Sequence, residues 1–365
     1  MVRERIEAVA ERDDAVILVG DGEPSTPLEL ARRLEVLALD GRIEADDYSR
    51  GGSVEALELA WAELLGKEAA VWLPTGTLAN HLAVRRLCGS RPRVLVPERS
   101  HLFLDEGDAL QRLSGIAAVP YAPGSVVCDV EELRAHLDEA EQGRVLNPVG
   151  AFVIESPMRR LAGQVVPFEQ MEALTALARE RGVGTHLDGA RLFMMSAATG
   201  VPARRYADLF DTVYVSLWKY LPAPFGAILA GPAALLEGLY HERRMFGGGL
   251  PSAALAAALA LDGMSGLEQR HVEVMARGRE LCGRLAAVPG LEPRPFEHGS
   301  NIVPLHLDAR LDTSRFVACL LEDGVVLADR SDAWDAVLLA FNPTLLRRPI
   351  EALVASFESA AAAAR

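Results

Sequence analysis

The sequence predicts an α/β protein with a largely parallel sheet, followed by a second and smaller α/β domain. Apolar patterns typical of helices and of strands alternate along the chain, as they do where helices connect the strands of a parallel sheet. Half of the 365 residues are hydrophobic, which is enough for a sizeable core. Because the pattern changes at the glycine run 247–249, we expect an N-terminal segment and large domain in residues 1–250 and a small domain in residues 251–365.

The elements of the large domain follow from local patterns. Residues 1–14 are charged and predict a helix rather than a signal peptide. Apolar residues at helical spacing predict helices over 28–38, 54–65, 78–87, 105–113, 130–140 and 168–181. Short apolar and β-branched runs predict strands over 69–73, 94–97, 116–119, 151–155, 183–187, 213–217 and 225–230. In the small domain, a long alanine-rich helix precedes three short strands, IVPLHLD, GVVLA and AVLLAF.

Composition argues against several classes of protein. The formal net charge is −14 and no basic tract is present, so we expect no nucleic-acid or anionic-membrane surface. The longest apolar run, 253–261, is too short to span a bilayer. The four cysteines lie far apart without a CxxC spacing, so neither a disulfide framework nor a zinc site is expected. A cytoplasmic location is therefore predicted.

Lys219 lies between two predicted core strands, in a segment stiffened by Pro222 and Pro224. Only Lys67 and Lys219 are lysines among the 37 basic residues, and only lysine carries a primary amine that can form a Schiff base. A lysine whose stem packs on a neighbouring aromatic ring, with its tip in water, is the alternative interpretation. We expect Lys67 to be exposed, since it follows a glycine that closes a helix.

Three further motifs fall at the ends of predicted strands, where open α/β sheets bind their ligands. In PTGT at 74–77, a glycine turn and a helix N-terminus would suit a phosphate, although a threonine N-cap explains the same residues. In HLDGAR at 186–191, Asp188 and His186 share one side of a strand, and Asp188 could hold a pyridine nitrogen protonated. A structural pair of Asp188 with Arg191 and a metal site are the alternatives. The third motif is His101 with Glu106, which surface or capping roles would also explain.

Together, a phosphate loop, an aspartate and a lysine at strand ends supply what pyridoxal phosphate requires. In these motifs and the segments around them, the sequence resembles the threonine aldolase and β-eliminating lyase family of fold-type I pyridoxal-phosphate enzymes. The resemblance is carried, between residues 46 and 249, by DDYSRGGSVEALE, LLGKEAAVWLPTGTLAN, SHLFLDEG, THLDGAR, SLWK with PAPFGA, and RRMFGGG. It implies a transferase-like α/β fold with a mostly parallel sheet of seven-stranded type, and pyridoxal 5'-phosphate as the cofactor.

The resemblance also implies catalytic roles. Lys219 would form the Schiff base with the cofactor, Asp188 would pair with the pyridine nitrogen, and His101 would stack on the ring. The implied reaction is retro-aldol cleavage of a β-hydroxy-α-amino acid to glycine and an aldehyde, with His101 acting through water as one option for the base. A β-elimination with Lys219 as the base at Cα is the main alternative. A relative that binds the cofactor without catalysis is another.

Binding roles follow from the same resemblance. Gly76 and Thr77 would hold the phosphate through their N–H groups, and Ser216 would add a phosphate contact. Arg191 would lie beside the cofactor and the substrate. The site would be completed across the interface of a homodimer or homotetramer, to which the region of Tyr48 could contribute, with Tyr48 as a substrate-binding residue.

The substrate-binding half departs from the family pattern. The family's arginine for the substrate carboxylate has no clear match near the C-terminal end, so Arg191, Arg50 and Arg330 become the candidates, with Arg191 favoured. Arg243 and Arg244, just before the glycine run, are candidates for contributions from a partner subunit. No metal site is expected.

Overall fold

The computed structural model describes residues 2–9 and 12–365. Its helices are α1 (Val2–Ala8), α2 (Pro27–Leu39), α3 (Gly52–Leu65), α4 (Gly76–Cys88), α5 (His101–Leu104), α6 (Ala109–Ser114), α7 (Val130–Gln142), α8 (Phe168–Glu180), α9 (Leu192–Thr199), α10 (Ala203–Asp208), α11 (Ala233–Leu236), α12 (Leu239–Met245), α13 (Ala254–Gly263), α14 (Leu267–Leu285), α15 (Thr313–Glu322) and α16 (Ile350–Ala363). Its strands are β1 (Val16–Ile17), β2 (Ala69–Leu73), β3 (Arg93–Pro97), β4 (Ala117–Tyr121), β5 (Val149–Glu155), β6 (Gly184–Asp188), β7 (Thr212–Ser216), β8 (Ala227–Gly231), β9 (Leu291–Pro293), β10 (Ile302–Leu307), β11 (Val325–Val326) and β12 (Val337–Ala340).

A seven-stranded sheet forms the centre of the large unit, which confirms the predicted α/β class. Its strand order is β2-β8-β7-β6-β5-β3-β4, and β8 alone runs in the direction opposite to the other six strands. Every residue of β5, β7 and β8 is buried, as expected of strands with helices on both faces. The parallel strands end at one edge, and in register Glu155 of β5 and Tyr214 of β7 flank Asp188 of β6.

The chain forms two compact units whose boundaries differ from the expected division at residue 250. One unit comprises Ser25–Ser196 and Gly200–Ser265; the other comprises the described residues before 25, Ala197–Thr199 and Gly266–Arg365. Two contacts explain the difference. Helix α13 follows the glycine run but packs on α2 and α3, so it belongs to the large unit. Strand β1 pairs in parallel with β11, which attaches the N-terminal segment to the C-terminal unit instead.

The smaller unit has its own sheets and core. Strands β9, β10 and β12 form an antiparallel sheet, and its core includes Phe316 against Phe357, with ring centroids 6.0 Å apart. The three predicted C-terminal strands correspond to β10, β11 and β12. Strands β1 and β9, with two and three residues, lie outside the sequence prediction.

Of the helix expected over 105–113, only α6 forms, and the residues 105–108 are a turn that separates it from the short helix α5. Between them, Gly107 and Asp108 have φ values of +62° and +57°, a left-handed backbone that ends an α-helix. The break turns Glu106 inward, where it is buried. Across the described ranges, no helix is both long and apolar enough to cross a membrane.

Candidate active site

The carboxyl edge of the large sheet brings together Asp188, His101 and the start of α4. Asp188 ends β6 and is only 3% exposed. Its Oδ2 accepts a hydrogen bond from Asn80 Nδ2 at 2.9 Å, and its Oδ1 accepts one from the Ala190 N–H at 3.2 Å. These two donors offset the cost of burying a carboxylate. The arrangement places a hydrogen-bonded acid group at the strand end.

Asn80 is hydrogen-bonded to several of the buried polar groups, and the sequence did not predict its role. Besides Asp188, its Nδ2 donates to Glu106 Oε1 at 3.0 Å, and its Oδ1 lies 3.0 Å from His186 Nε2. His186 Nδ1 is 2.8 Å from Thr212 Oγ1. His186 and Asp188 thus both reach Asn80, as strand alternation predicts. One signal was available: Asn80 lies four residues after Gly76, on the same face of a helix that begins at the site.

His101 begins α5 and is held at two atoms. Its backbone N–H donates to Glu155 Oε2 at 2.6 Å, and its Nδ1 lies 3.1 Å from Glu106 Oε1. The hydrogen bond that His101 Nδ1 donates to Glu106 raises the pKa of His101 above its usual range, although burial acts in the opposite direction. The His101 side chain is 47% exposed, so the ring is anchored on one side and accessible on the other.

Two glutamates behind His101 have raised pKa values. Burial raises the pKa of Glu106, and its hydrogen bond with His101 only partly opposes the shift. Burial, followed by the charge of Asp188, raises the pKa of Glu155 to about 7. Backbone N–H groups of His101 and Arg159 donate to Glu155, at 2.6 and 3.0 Å, and lower its pKa in part. Clustered carboxyl groups with displaced pKa values are typical of functional sites.

The first turn of α4 offers backbone donors next to these groups. Thr75 is the N-cap, and its hydroxyl accepts from the Leu78 N–H at 3.2 Å. As first-turn residues, Gly76 and Thr77 have no carbonyl partner within the helix, so their N–H groups can bind an anion. A Cβ at Gly76 would lie 2.0 Å from the Tyr214 hydroxyl oxygen. Glycine is therefore required there by the close approach of a buried tyrosine.

Ser216 is the last residue of β7, and Lys219 lies shortly after it in the following loop. Ser216 Oγ is buried beside the Tyr214 phenol without completing a hydrogen bond to it. Lys219 is half-buried, and its Nζ lies 5.6 Å from the ring centroid of the exposed Trp218. The contact joins the amine itself to the Trp218 ring, whereas the alternative interpretation places the stem on the ring and the tip in water.

Lys67 contradicts its expected exposure. It is half-buried, its Nζ donates to the carbonyl of Phe210 at 2.6 Å, and burial lowers its pKa. This hydrogen bond joins the segment after α3 to the segment before β7, so Lys67 has a structural role.

Arg191 is buried at the start of α9, beside the other site residues. Its positive charge acts on Glu155 and on Tyr214, lowering both pKa values against the larger effect of burial. Arg50 and Arg330, the other two candidates for the substrate carboxylate, are exposed. Arg50 lies over the Tyr240 ring, and Arg330 pairs with Asp335 within the C-terminal unit.

Tyr48 lies in a loop with an unusual backbone. Tyr48 and Ser49 have φ values of +47° and +67°, which non-glycine residues rarely adopt. Arg243 is 2% exposed and donates to the carbonyls of Ser49 and Trp72, at 2.7 and 2.6 Å. It is therefore unsuited to the role in a partner subunit that the sequence suggested. Arg244 is exposed, with its guanidinium 4.3 Å from the Tyr48 ring centroid, and stays a candidate.

Three residues of the site were not predicted from the sequence, because their contacts with the other site residues join positions distant in sequence: Asn80, Glu155 and Tyr214. The sequence also suggested a metal site at His186 and Asp188 as an alternative. Within the described part of the chain, no group of three His, Cys, Asp or Glu side chains is arranged to hold a metal ion.

Comparison with known proteins identifies a family model and several relatives. The model described as "Beta-eliminating lyase" matches residues 37–308. A low specificity L-threonine aldolase from Saccharomyces cerevisiae is 29% identical over 226 residues, covering 61% of this chain and 58% of that protein. Aldolase vrtJ from Penicillium aethiopicum is 33% identical over 277 residues, covering 73% and 68%. The match to the yeast relative thus spans less than two thirds of that protein's length.

Solved structures resemble nearly the whole chain. A structure from Exiguobacterium sp. 255-15, provisionally assigned as an aromatic amino acid β-eliminating lyase/threonine aldolase, is 25% identical, covers 97% of this chain and 99% of its own, and has a TM-score of 0.80. A structure from Listeria monocytogenes, provisionally assigned as an L-allo-threonine aldolase, is 25% identical with coverage of 98% and 99% and a TM-score of 0.78. A serine palmitoyltransferase with pyridoxal phosphate bound, 18% identical with a TM-score of 0.72, shares the fold. These neighbours confirm the predicted fold-type I architecture.

Proposed function

The chain belongs to the β-eliminating lyase family, and from this premise we propose that it is a pyridoxal-phosphate-dependent carbon–carbon lyase acting on β-hydroxy-α-amino acids. The products would be glycine and an aldehyde, as expected of an L-threonine aldolase. The observation that carries this proposal is the buried Asp188, which lies in register between Glu155, the residue that holds His101, and Tyr214 of β7, the strand that precedes Lys219. The threonine aldolases among the relatives support the same reaction.

The residues present fit pyridoxal 5'-phosphate. The first turn of α4 offers the N–H groups of Gly76 and Thr77, and Ser216 Oγ is a buried hydroxyl with no completed hydrogen bond. Asp188 would accept a hydrogen bond from the protonated pyridine nitrogen, and Lys219 would hold the cofactor's aldehyde carbon. When bound, the cofactor supplies an aldehyde that condenses with amines and a ring that accepts the electrons of the breaking bond.

His101 is the residue that we propose as the base for the β-hydroxyl proton. Its Nδ1 is engaged by Glu106, so Nε2 is the atom that can accept a proton, directly or through one water molecule. Since its pKa is raised by Glu106, His101 serves as a base only in the fraction of molecules whose imidazole is neutral, and this fraction grows with pH. Glu155 would keep the ring in place by holding the His101 backbone N–H.

Arg191 is our candidate for the substrate carboxylate. A guanidinium binds a carboxylate through two parallel hydrogen bonds, and Arg191 is the buried arginine beside Glu155 and Tyr214. Fixing the carboxylate orients the amino acid, and orientation decides which of its bonds lies perpendicular to the cofactor ring. The substrate class thus depends on this residue as much as on Lys219.

A β-elimination from a β-substituted amino acid is the second candidate. It is favoured by one observation, the joint assignment of the Exiguobacterium neighbour as a β-eliminating lyase or threonine aldolase. Lys219 would then remove the Cα proton. Aldehyde formation and pyruvate formation separate the two reactions.

We also propose a homodimer or homotetramer with active sites at the dimer interface. The large unit exposes several large side chains that an interface would cover, namely Tyr48, Leu59, Met245 and Leu255. A cytoplasmic location is supported by the four cysteines, all of them free. Light scattering of the purified protein tests the proposed homodimer or homotetramer by measuring the molar mass of the particle.

The decisive experiment is an amino-acid panel on cofactor-loaded protein. Borohydride should fix the cofactor on the peptide that contains Lys219; labelling of Lys67 would contradict the proposal. L-Threonine, L-allo-threonine and phenylserine should give glycine, and β-chloroalanine should give pyruvate only if elimination occurs. Arg191→Lys should lower kcat/KM by about 30- to 1000-fold for every accepted substrate, because a bidentate pair is lost. If the wild type cleaves none of the hydroxy amino acids, the aldolase activity is wrong.

A further inference from the structure

Asn80 uses its whole side-chain amide inside the candidate site. It is buried, and both hydrogens of Nδ2 are directed at carboxylates, Asp188 Oδ2 at 2.9 Å and Glu106 Oε1 at 3.0 Å. Its Oδ1 faces His186 Nε2 at 3.0 Å. An ionised carboxylate only accepts hydrogen bonds, so the amide can satisfy both acids in one orientation only. The reversed amide would set its oxygen against two carboxylates.

The orientation of Asn80 fixes the hydrogen on His186. Because Asn80 Oδ1 accepts, Nε2 of His186 must donate. Burial lowers the pKa of His186 to about 4, so the ring is neutral near pH 7 and carries a single hydrogen. Nδ1 then accepts from the hydroxyl of Thr212, at 2.8 Å. Donors and acceptors therefore run in one direction, from Thr212 through His186 and Asn80 to the two carboxylates.

We propose that Asn80 is a positioning residue, which orients the Asp188 carboxylate towards the cofactor ring nitrogen and holds Glu106 against His101. Its own orientation is set by the Thr212–His186 pair on the opposite side. This inference rests on the proposed function, and it adds residues with no direct contact to the substrate. The Asn80 side chain would then align Asp188 with the nitrogen of the cofactor ring and, through Glu106, align His101 with the face of that ring.

The reason for a neutral amide at this point is electrostatic. Asp188 and Glu106 are like charges in a buried place, and each raises the free energy of the other unless a shared donor lies between them. The titratable and charged groups that face the network come from α5, the α5–α6 turn, β5, β6, β7 and the start of α9: His101, Glu106, Glu155, His186, Asp188, Tyr214 and Arg191. Asn80 is the side chain that donates hydrogen bonds to two of these acids at once.

The first test compares two buried threonines. Thr212→Val removes the donor to His186, whereas Thr175→Val removes an equally buried hydroxyl that bonds only to carbonyls within α8. In the cofactor-loaded enzyme, Thr212→Val should lower kcat about tenfold with KM nearly unchanged, and should shift the pH dependence of the cofactor absorbance. Thr175→Val should change neither. If the two variants match in kcat and in absorbance, the proposal is overturned.

The second test does not need the cofactor. Nitrogen-15 NMR of the wild-type apoprotein should show His186 neutral, with its hydrogen on Nε2, between about pH 5 and pH 8. A hydrogen on Nδ1, or titration within that range, would overturn the proposed direction of the network.

A third test uses Asn80→Asp, which replaces the shared donor by a third acid and should weaken cofactor binding at least about tenfold. Unchanged affinity in this variant would also contradict the proposal, and if it fails to fold the NMR result decides.

Failure of this inference and failure of the proposed function give different results. Wild-type protein that takes up no pyridoxal phosphate at Lys219 would refute the proposed function. Wild-type protein that loads and turns over substrate, with Thr212→Val equal to Thr175→Val, would refute only the role of Asn80.

Discussion

Two polar regions of the large unit are built in opposite ways. The Asn80 network takes its groups from α4, the α5–α6 turn, β6 and β7, and its members are buried and hydrogen-bonded to one another. The loop 46–52 is one continuous segment, held through its backbone by the buried Arg243 while Tyr48 stays exposed. The first region joins side chains of several elements to one another, whereas the second ties a single loop at Asp46 and Ser49 and leaves the Tyr48 side chain exposed. Side chains fixed by several elements suit a cofactor of constant shape, whereas an exposed loop suits a substrate or a partner subunit.

The largest expected effect lies in the first region. Asp188→Asn keeps the shape of the side chain but removes the charge proposed to hold the ring nitrogen protonated. We expect kcat to fall by about 100- to 1000-fold with cofactor binding partly retained. Turnover near the wild-type value would mean that Asp188 has a structural role, and the two regions would then differ only in burial.

The loop is expected to respond in stability rather than in turnover. Arg243→Met removes two hydrogen bonds to backbone carbonyls and the cation that lies 3.7 Å from Glu58, whose pKa burial raises to about 7. We expect a loss of about 3 kcal/mol in the free energy of unfolding, measured by urea denaturation. Arg244→Met, at the exposed neighbour, should cost less than about 1 kcal/mol. Equal losses would contradict the proposed anchoring by Arg243.

The first turn of α4 tests how tightly the site is packed. Gly76→Ala would bring a Cβ within 2.0 Å of the Tyr214 hydroxyl oxygen, so the buried ring must shift. We expect cofactor affinity to fall about tenfold or more, because the N–H groups of this turn would move with it. Gly283→Ala is the control, since a Cβ there meets nothing within 4 Å in α14, and it should be neutral or slightly stabilising. Normal affinity for Gly76→Ala would argue against a phosphate at this turn.

The smallest expected effect is a shift along the pH axis. Glu106→Gln removes the carboxylate whose hydrogen bond raises the pKa of His101. A base must be neutral, so activity rises as pH increases through the His101 pKa, and lowering this pKa moves the acid limb of kcat/KM to lower pH. The measurement is the pH profile with L-threonine. An unmoved acid limb would show that His101 is not the group that titrates.

Much of the fold could be read from the sequence because its signals are local. The predicted strand 69–73 coincides with β2, and the other numbered helices and strands predicted in the large domain differ mainly at their ends, apart from the helix over 105–113. That helix is interrupted at Gly107 and Asp108, which have a left-handed backbone, and Glu106 beside them is buried. Periodicity reports which face of an element is apolar, and it does not predict a buried carboxylate beside such a turn.

The site divides along the same line. Asp188 at the end of β6, Lys219 after β7 and Gly76 at the start of α4 were determined by the sequence alone, since strand ends and glycine turns have local signatures. Only the tertiary structure decided that Asn80 joins Asp188 to Glu106, that Glu155 holds His101, and that Arg243 is buried. These contacts join residues from 26 to 194 positions apart, and no local propensity encodes such a distance. They form because burial leaves each polar group to find a partner wherever the packed elements bring one within reach.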